Sequence, residues 1–293
     1  MTRMRNHPAN CMALAVLGLF CLAPAISRAA GKPMPVPPTL RLPLGLEAGA
    51  GAGFRARLEA VHALGKHLTR QEIDALFAFM HKPLHDDALP PVELNALKND
   101  MATALLQQAD KPRDFGRQLM EMCRDPAQDA VWRDYCVQFL GAWYAYAPGD
   151  ERREVRDALW AAVAEPGSGI AGTALIALRN NISGPEIDRK QLAEKACALA
   201  SEPKAAEPTR ITALQVCALL KYGPALAVAR ELASGTDSAC LRVSAIAAVG
   251  QLGDASDVGL LERCASSRDT RIRTAAAAAL ERLRSKTARG AAP

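Results

Sequence analysis

Aromatic residues are scarce in this 293-residue sequence, making up only 4% of it, while 49% is hydrophobic and 23% charged. Ala and Leu therefore carry most of the apolar mass, a composition that belongs to a globular chain and favours helices packed at close range. Alternating apolar and polar residues, the mark of a half-buried strand, are missing from residue 54 onward. Sheet folds are thereby excluded. No C-x-x-C spacing occurs, which argues against a cysteine-held metal. No activated nucleophile with a base, no paired carboxylates and no phosphate-cradling loop stand out, so no catalytic residue is named. The triplet Gly49, Gly51 and Gly53 follows a Pro-rich segment rather than a strand, which removes the context a dinucleotide site needs.

The one long apolar run lies at the N-terminus. Arg3, Arg5 and His7 lead into "CMALAVLGLFCLAPAI", and Ser27-Arg28-Ala29 supplies small residues where signal peptidase needs them. Residues 1–29 are read as a signal peptide cleaved after Ala29, with a retained anchor as the alternative. The run falls short of the ~20 residues that span a bilayer. Neither Cys11 nor Cys21 sits in a lipobox. The expected location is periplasmic or secreted. Removing this segment takes away three arginines and no acid, so the formal net charge falls from +5 to +2. A nucleic-acid partner is then not expected.

Residues 30–53 combine prolines with a Gly/Ala tail and predict an extended linker. Beyond them, helical segments follow one another between Gly, Pro, Asp and Asn breaks. A signature recurs through them, with a small or apolar residue at +3 and +6 and a larger apolar one at +7. Arg242 is followed by Ala245, Ala248 and Val249, and Arg273 by Ala276, Ala279 and Leu280. Upstream starts fall at Arg57, Lys98, Arg133, Ala171 and Arg210, giving spacings of 41, 35, 38, 39, 32 and 31 residues along the series. Self-similarity at such a period marks a helical solenoid, in which small residues on one helix face let the next helix approach. Second helices are predicted near 71–81, 114–124, 151–163, 189–199, 225–233 and 256–266. Asp188 and either Asp254 or Ser256 are helix-start signals.

The stretches "LRVSAIAAVGQLGDASDVGLLERC" and "DTRIRTAAAAALERL" resemble HEAT repeats, in the short bacterial form also found in phycobilisome lyases, most strongly over residues 205–285. The resemblance implies an all-α fold: a right-handed α-solenoid of antiparallel helix pairs, and most HEAT proteins are binding scaffolds. It departs from the pattern at Ala171, which stands in the Arg slot, at Cys136 and Cys217, which occupy packing positions, and in the irregular spacing before residue 205. The expected organisation is irregular helical repeats over 54–128, a HEAT-like array over 129–286 and a disordered tail over 287–293.

Six cysteines remain after cleavage: Cys123, Cys136, Cys197, Cys217, Cys240 and Cys264. An even number in an exported chain reads as three disulfides between nearest neighbours, and free buried thiols at Cys136 and Cys217 are the alternative. Within "VWRDYCVQFLGAWYAYAPGD", six of the thirteen aromatics crowd together, and Trp132, Tyr135, Phe139, Trp143 and Tyr146 form one helical stripe. The stripe is either bulky core between the two halves or, through Trp132, Tyr135, Trp143, Tyr144 and Tyr146, a groove that anchors a partner. Arg133 and Asp134 are candidates for ion pairs with neighbouring repeats. In "HKPLHDD", Pro83 breaks the helix that would aim His81 and His85 at a shared metal. His62 and His67 complete the mature chain's histidines, Asn181-Ile182-Ser183 fits a glycosylation acceptor, and "RLRSKTAR" reads as a solvated helix end. No metal or cofactor is expected. The sequence thus predicts an exported, non-enzymatic scaffold for another envelope or secreted protein. A lyase-like or other enzyme, or a small-ligand-binding protein on the same fold, is the alternative, and a purely structural spacer is a third reading.

Overall fold

The computed structural model describes residues 36–45, 53–83 and 89–290, with backbone alone over 287–290. The predicted signal peptide, Gly49, Gly51, His85 and its two following aspartates, and residues 291–293 lie outside the described residues. Helices are the only regular structure among those described, and no strand occurs. The helices bearing the recurrent signature are α2 (Phe54–His62), α4 (Pro91–Leu106), α6 (Ala130–Trp143), α8 (Ile170–Asn180), α10 (Glu207–Leu219), α12 (Ala239–Leu252) and α14 (Thr270–Gly290). Between them stand α3 (Arg70–Met80), α5 (Phe115–Arg124), α7 (Gly149–Val163), α9 (Arg189–Ser201), α11 (Ala225–Ser234) and α13 (Val258–Ala265). A short α1 (Pro38–Arg41) comes before all of these, and a 3₁₀ turn over Ala255–Asp257 leads into α13.

Local chemistry sets these boundaries. Thr69 closes a capping box with Glu72 at the start of α3, and the Asp188 carboxylate accepts from the backbone N–H groups of Lys190 and Gln191 at the start of α9. Asp254 caps the 3₁₀ turn instead of α13 itself. Helix α14 continues to Gly290, into the stretch expected to be a disordered tail.

The expectation of an extended linker over 30–53 is corrected for its described part. Leu40 is fully buried and Leu44 nearly so. Thr39 Oγ1 donates to Glu72 Oε1 at 2.6 Å, and Arg57 Nε to the Pro43 carbonyl at 3.0 Å. Two leucines spaced one turn apart gain enough by burial to hold this arm on the body.

Signature helices touch one another in chain order from α2 to α14, and each of α5, α7, α9, α11 and α13 packs on the signature helix that follows it. The +3, +6 and +7 positions are buried from Arg210 onward: Ala213, Val216 and Cys217, then Ala245, Ala248 and Val249, then Ala276, Ala279 and Leu280. The unit starting at Arg57 does not follow this rule, because Ala60 and Leu64 are half-buried and Ala63 is exposed.

The first signature position has a separate role that its sequence pattern did not reveal. Its cation reaches back to carbonyls at the end of the preceding helix. Arg133 Nε donates to Cys123 O at 2.6 Å, Arg210 Nε to Ala200 O at 3.2 Å and Arg242 Nη2 to Ala233 O at 3.4 Å. Arg273 Nη1 donates to Ser267 O and Arg268 O, just past α13, and Lys98 Nζ to Lys82 O, just past α3. Helix ends leave such carbonyls unpaired and carry partial negative charge, so a cation there is favoured twice over.

Small residues control how closely the signature helices approach. A Cβ on Gly250 would stand 2.8 Å from the Ala279 Cβ and 2.9 Å from its Cα. At exposed Gly259 in α13 an added Cβ would meet only Arg263 Nη1, at 3.7 Å. The two glycines should therefore respond in opposite directions to one substitution. In urea unfolding, Gly250→Ala should cost about 1–3 kcal/mol through overpacking, and Gly259→Ala should stabilise by about 0.5–1 kcal/mol. Equal effects at both sites would contradict this packing.

Candidate functional site

Asp129 starts α6 by accepting from the Val131 backbone N–H at 2.9 Å, and this fixes the rotation of the aromatic stripe. Trp132 is fully buried, with the Lys98 ammonium 5.6 Å from its ring centroid, and its indole N–H has no hydrogen-bond partner. Further along, the Phe115 ring meets Trp143 edge-on at 5.3 Å and Phe139 edge-on at 6.3 Å, and Phe77 joins from α3 at 6.3 Å. Trp143 is 3% exposed and donates to Glu151 Oε1 at 3.3 Å, while Tyr144 is 5% exposed and its hydroxyl donates to Glu186 Oε2 at 2.8 Å. Burial raises the Glu151 carboxyl, against the indole hydrogen bond that lowers it.

The reading of Trp132, Trp143 and Tyr144 as groove anchors is corrected by these contacts. Lys98 of α4 lies over the Trp132 ring, Phe115 of α5 meets Trp143, and the Arg152 guanidinium of α7 lies 5.9 Å from the Tyr144 ring centroid. The stripe is the bulky core between the N-terminal helices and the signature array. Tyr135 and Phe139 are half-buried at its edge. Tyr146 alone of the segment's aromatics lies open, 56% exposed, with the Lys111 ammonium 4.5 Å from its ring centroid.

Arg133 Nη2 binds both oxygens of Glu165 at 2.9 Å, so the expected pairing with the adjacent repeat is present for Arg133. Asp134 instead accepts from Gln138 of its own helix. The Asn181 side-chain amide donates to Gly141 O and Ala177 O, both at 2.9 Å, so the nitrogen proposed as a glycan acceptor is committed inside the fold. His81 lies within 2.6 Å of the Gln118 side-chain amide. No group of three or more metal-ligating side chains occurs among the described residues.

The six cysteines among the described residues are free thiols, with Cys123, Cys136, Cys217 and Cys264 buried, Cys197 half-buried and Cys240 exposed. The expected staple between Cys240 and Cys264 is corrected. The Cys264 thiol rests on the Ala233 carbonyl of α11 at 3.8 Å, whereas Cys240 lies 4.0 Å from the Arg271 guanidinium of α14. The two side chains leave the hairpin toward different neighbours.

Sequence reasoning missed one concave site. A cavity of about 420 Å³ opens where α2 meets α4, lined by His62, Lys66, Asp100, Thr103, Gln107 and Gln108 among others. His62 Nε2 and Asp100 Oδ2 lie 2.6 Å apart at its wall. Gln108 is spent on structure, bridging Leu68 N, Gly65 O and Ala104 O. The polar edges of the cavity not committed to such contacts belong to Lys66 and Gln107, beside the His62 and Asp100 pair. No signal joined them in the sequence, because 38 residues separate His62 from Asp100.

No family profile and no curated protein matches the chain. Among solved structures it is similar to human deoxyhypusine hydroxylase in complex with glycerol, at 16% identity over 84% of this chain and 97% of that one, with a TM-score of 0.35. It is also similar to an engineered protein, at 15% identity over 84% and 96% of the two chains, with a TM-score of 0.27. The first of these is an enzyme by name. The expectation of a non-enzymatic chain is therefore not kept. At these scores the likeness supplies no activity in its place.

Burial pushes the Cys123 thiol up to about 11 and the Cys217 thiol up to about 12. Burial, and then the bond to Glu186, pushes the Tyr144 hydroxyl up to about 12. Ordinary values are 9.0 for the thiols and 10.0 for the phenol. Between these limits the unfolded chain releases protons that the folded one retains, so stability is complete below pH 9 and falls as pH rises toward 12. Urea midpoints should accordingly drop between about pH 8 and about pH 10.5, and Cys217→Ala should make the drop shallower. A flat profile would contradict the burial of these groups.

Proposed function

We propose that the chain is an exported HEAT-type binding protein: a right-handed α-solenoid of antiparallel helix pairs that holds another envelope or secreted protein along the row formed by α5, α7, α9, α11 and α13. The observation that carries this reading is the chain-order contact of the signature helices. Stacking of that kind gives the intervening helices a continuous outer surface instead of a single pocket. Charged pairs on this surface, Arg117 with Glu121 at 2.9 Å and Lys190 with Glu194 at 3.8 Å, suit a polar rim. Tyr146, open beside Lys111, is the aromatic anchor left to it, with Tyr135 at the margin.

A photo-crosslinking residue placed at Tyr146 or at Lys195 on α9 should give a defined adduct in living cells. The same residue at Gln251, exposed on α12, should give none. Equal labelling at all three positions would sink the proposed face. The exported chain should begin at Ala30, which intact-mass measurement checks directly.

The cavity beside His62 and Asp100 favours a second reading, the binding of a small polar ligand. With Lys66 as an unpaired cation in its wall, an anionic group suits it. Saturating inorganic phosphate and simple carboxylates should raise Tm, and Lys66→Ala should remove that rise without lowering the ligand-free Tm. No rise with any such anion would end this reading.

A further inference from the structure

We propose that Cys197 and Cys217 form a reversible dithiol–disulfide couple within the folded protein, closed by exchange with a small disulfide or a disulfide carrier protein. Cys197 lies on α9 and Cys217 on α10, two helices in extensive contact. The Cys217 thiol donates to the Ala193 carbonyl at 3.8 Å. In an α-helix that carbonyl also receives the backbone N–H four residues on, which belongs to Cys197. Residues four apart share one helix face, so the Cys217 sulfur sits against the turn that carries the Cys197 side chain.

The other cysteines lack this combination. The Cys264 thiol rests on the Ala233 carbonyl, and the residue four positions beyond Ala233 is Asp237. Cys240 is exposed beside Arg271. Cys123 and Cys136 approach one another across α5 and α6, but both are buried, so an incoming disulfide has no route to either.

Exposure fixes the order of steps. Cys197 is half-buried and Cys217 fully buried, so Cys197 meets the oxidant first. Its thiolate attacks one sulfur of the incoming disulfide, the S–S bond breaks, and one thiolate leaves and takes up a proton. Cys217 then loses its proton and attacks the Cys197 sulfur of the mixed disulfide, expelling the second thiolate. The protein loses two hydrogens and one disulfide is reduced to two thiols. The product joins α9 to α10 across the seam where Arg210 already binds the Ala200 carbonyl. This inference does not rest on the binding reading above, and its failure would leave that reading standing.

The test uses the mature chain, fully reduced, then treated with oxidised glutathione, quenched in acid, alkylated and digested without reductant. A peptide pair linked through Cys197 and Cys217 is expected. Cys217→Ser should accumulate glutathione on Cys197, and Cys240→Ser should behave as the unmodified sequence does. Finding Cys197 free or glutathione-capped while Cys217 remains alkylatable in the unmodified sequence would overturn the proposal. Far-UV circular dichroism of each variant reports folding, and if Cys217→Ser does not fold, the peptide map of the unmodified sequence decides alone.

Discussion

A cation from one helix resting on the open carbonyls of the helix before it is the contact on which the order of this fold depends. It recurs at Arg133, Arg210, Arg242 and Arg273, each in the first turn of a signature helix, and at Lys98, midway along α4. Apolar packing is not directional and would tolerate sliding of one helix along another. A guanidinium hydrogen-bonded to a particular last-turn carbonyl fixes the axial position, because carbonyls elsewhere along the helix are already paired. The cap therefore sets the register of each unit. The alanines and the larger apolar residue of the signature then fill the seam that this register creates.

Close approach adds a second constraint. Gly141 faces Ala177 and Gly250 faces Ala279, and in both places an added Cβ would come within 3 Å of its neighbour. Helices this close exclude large side chains from their seam, which explains why aromatics are so few in the array. The aromatics collect where the small-residue rule lapses, at the junction of α3, α5 and α6. There Phe77, Phe115, Phe139 and Trp143 fill a wider gap with edge-to-face contacts. Gly116 belongs to this junction as well, since a Cβ there would stand 2.5 Å from the Trp143 indole nitrogen.

Helical periodicity and turn residues are local properties, and they made α5, α7, α9 and α11 legible to within a few residues in the sequence. The helix start given by Asp188 was legible for the same reason. Whether an aromatic stripe faces core or solvent depends on what the next helix brings to it, and no residue of α6 encodes the arrival of Phe115 or Phe77. The cysteines show the same limit. Cys240 and Cys264 are placed near one end of a hairpin by helix length, yet side-chain direction sends one to α14 and the other to α11. The His62 and Asp100 pair joins helices from different units, and neither residue belongs to a recognisable local pattern.

The unit beginning at Ala171 tests the argument about caps, because it has no cation to offer. If the cap fixes register, the end of α7 must be held by something else. Arg133, whose Nε already binds the Cys123 carbonyl, extends its Nη2 to both oxygens of Glu165 just past α7. From the other side, Thr209 Oγ1 donates to Ser168 O at 2.7 Å and the Ala206 N–H to Pro166 O at 2.8 Å. One arginine upstream and two donors downstream thus hold the segment that residue 171 cannot reach. Thr209 is fully buried in doing so, a position where a hydroxyl is retained only when it is hydrogen-bonded. The departure of Ala171 from the repeat pattern is therefore matched by partners on both sides of it, which is what a structural requirement for the cap demands.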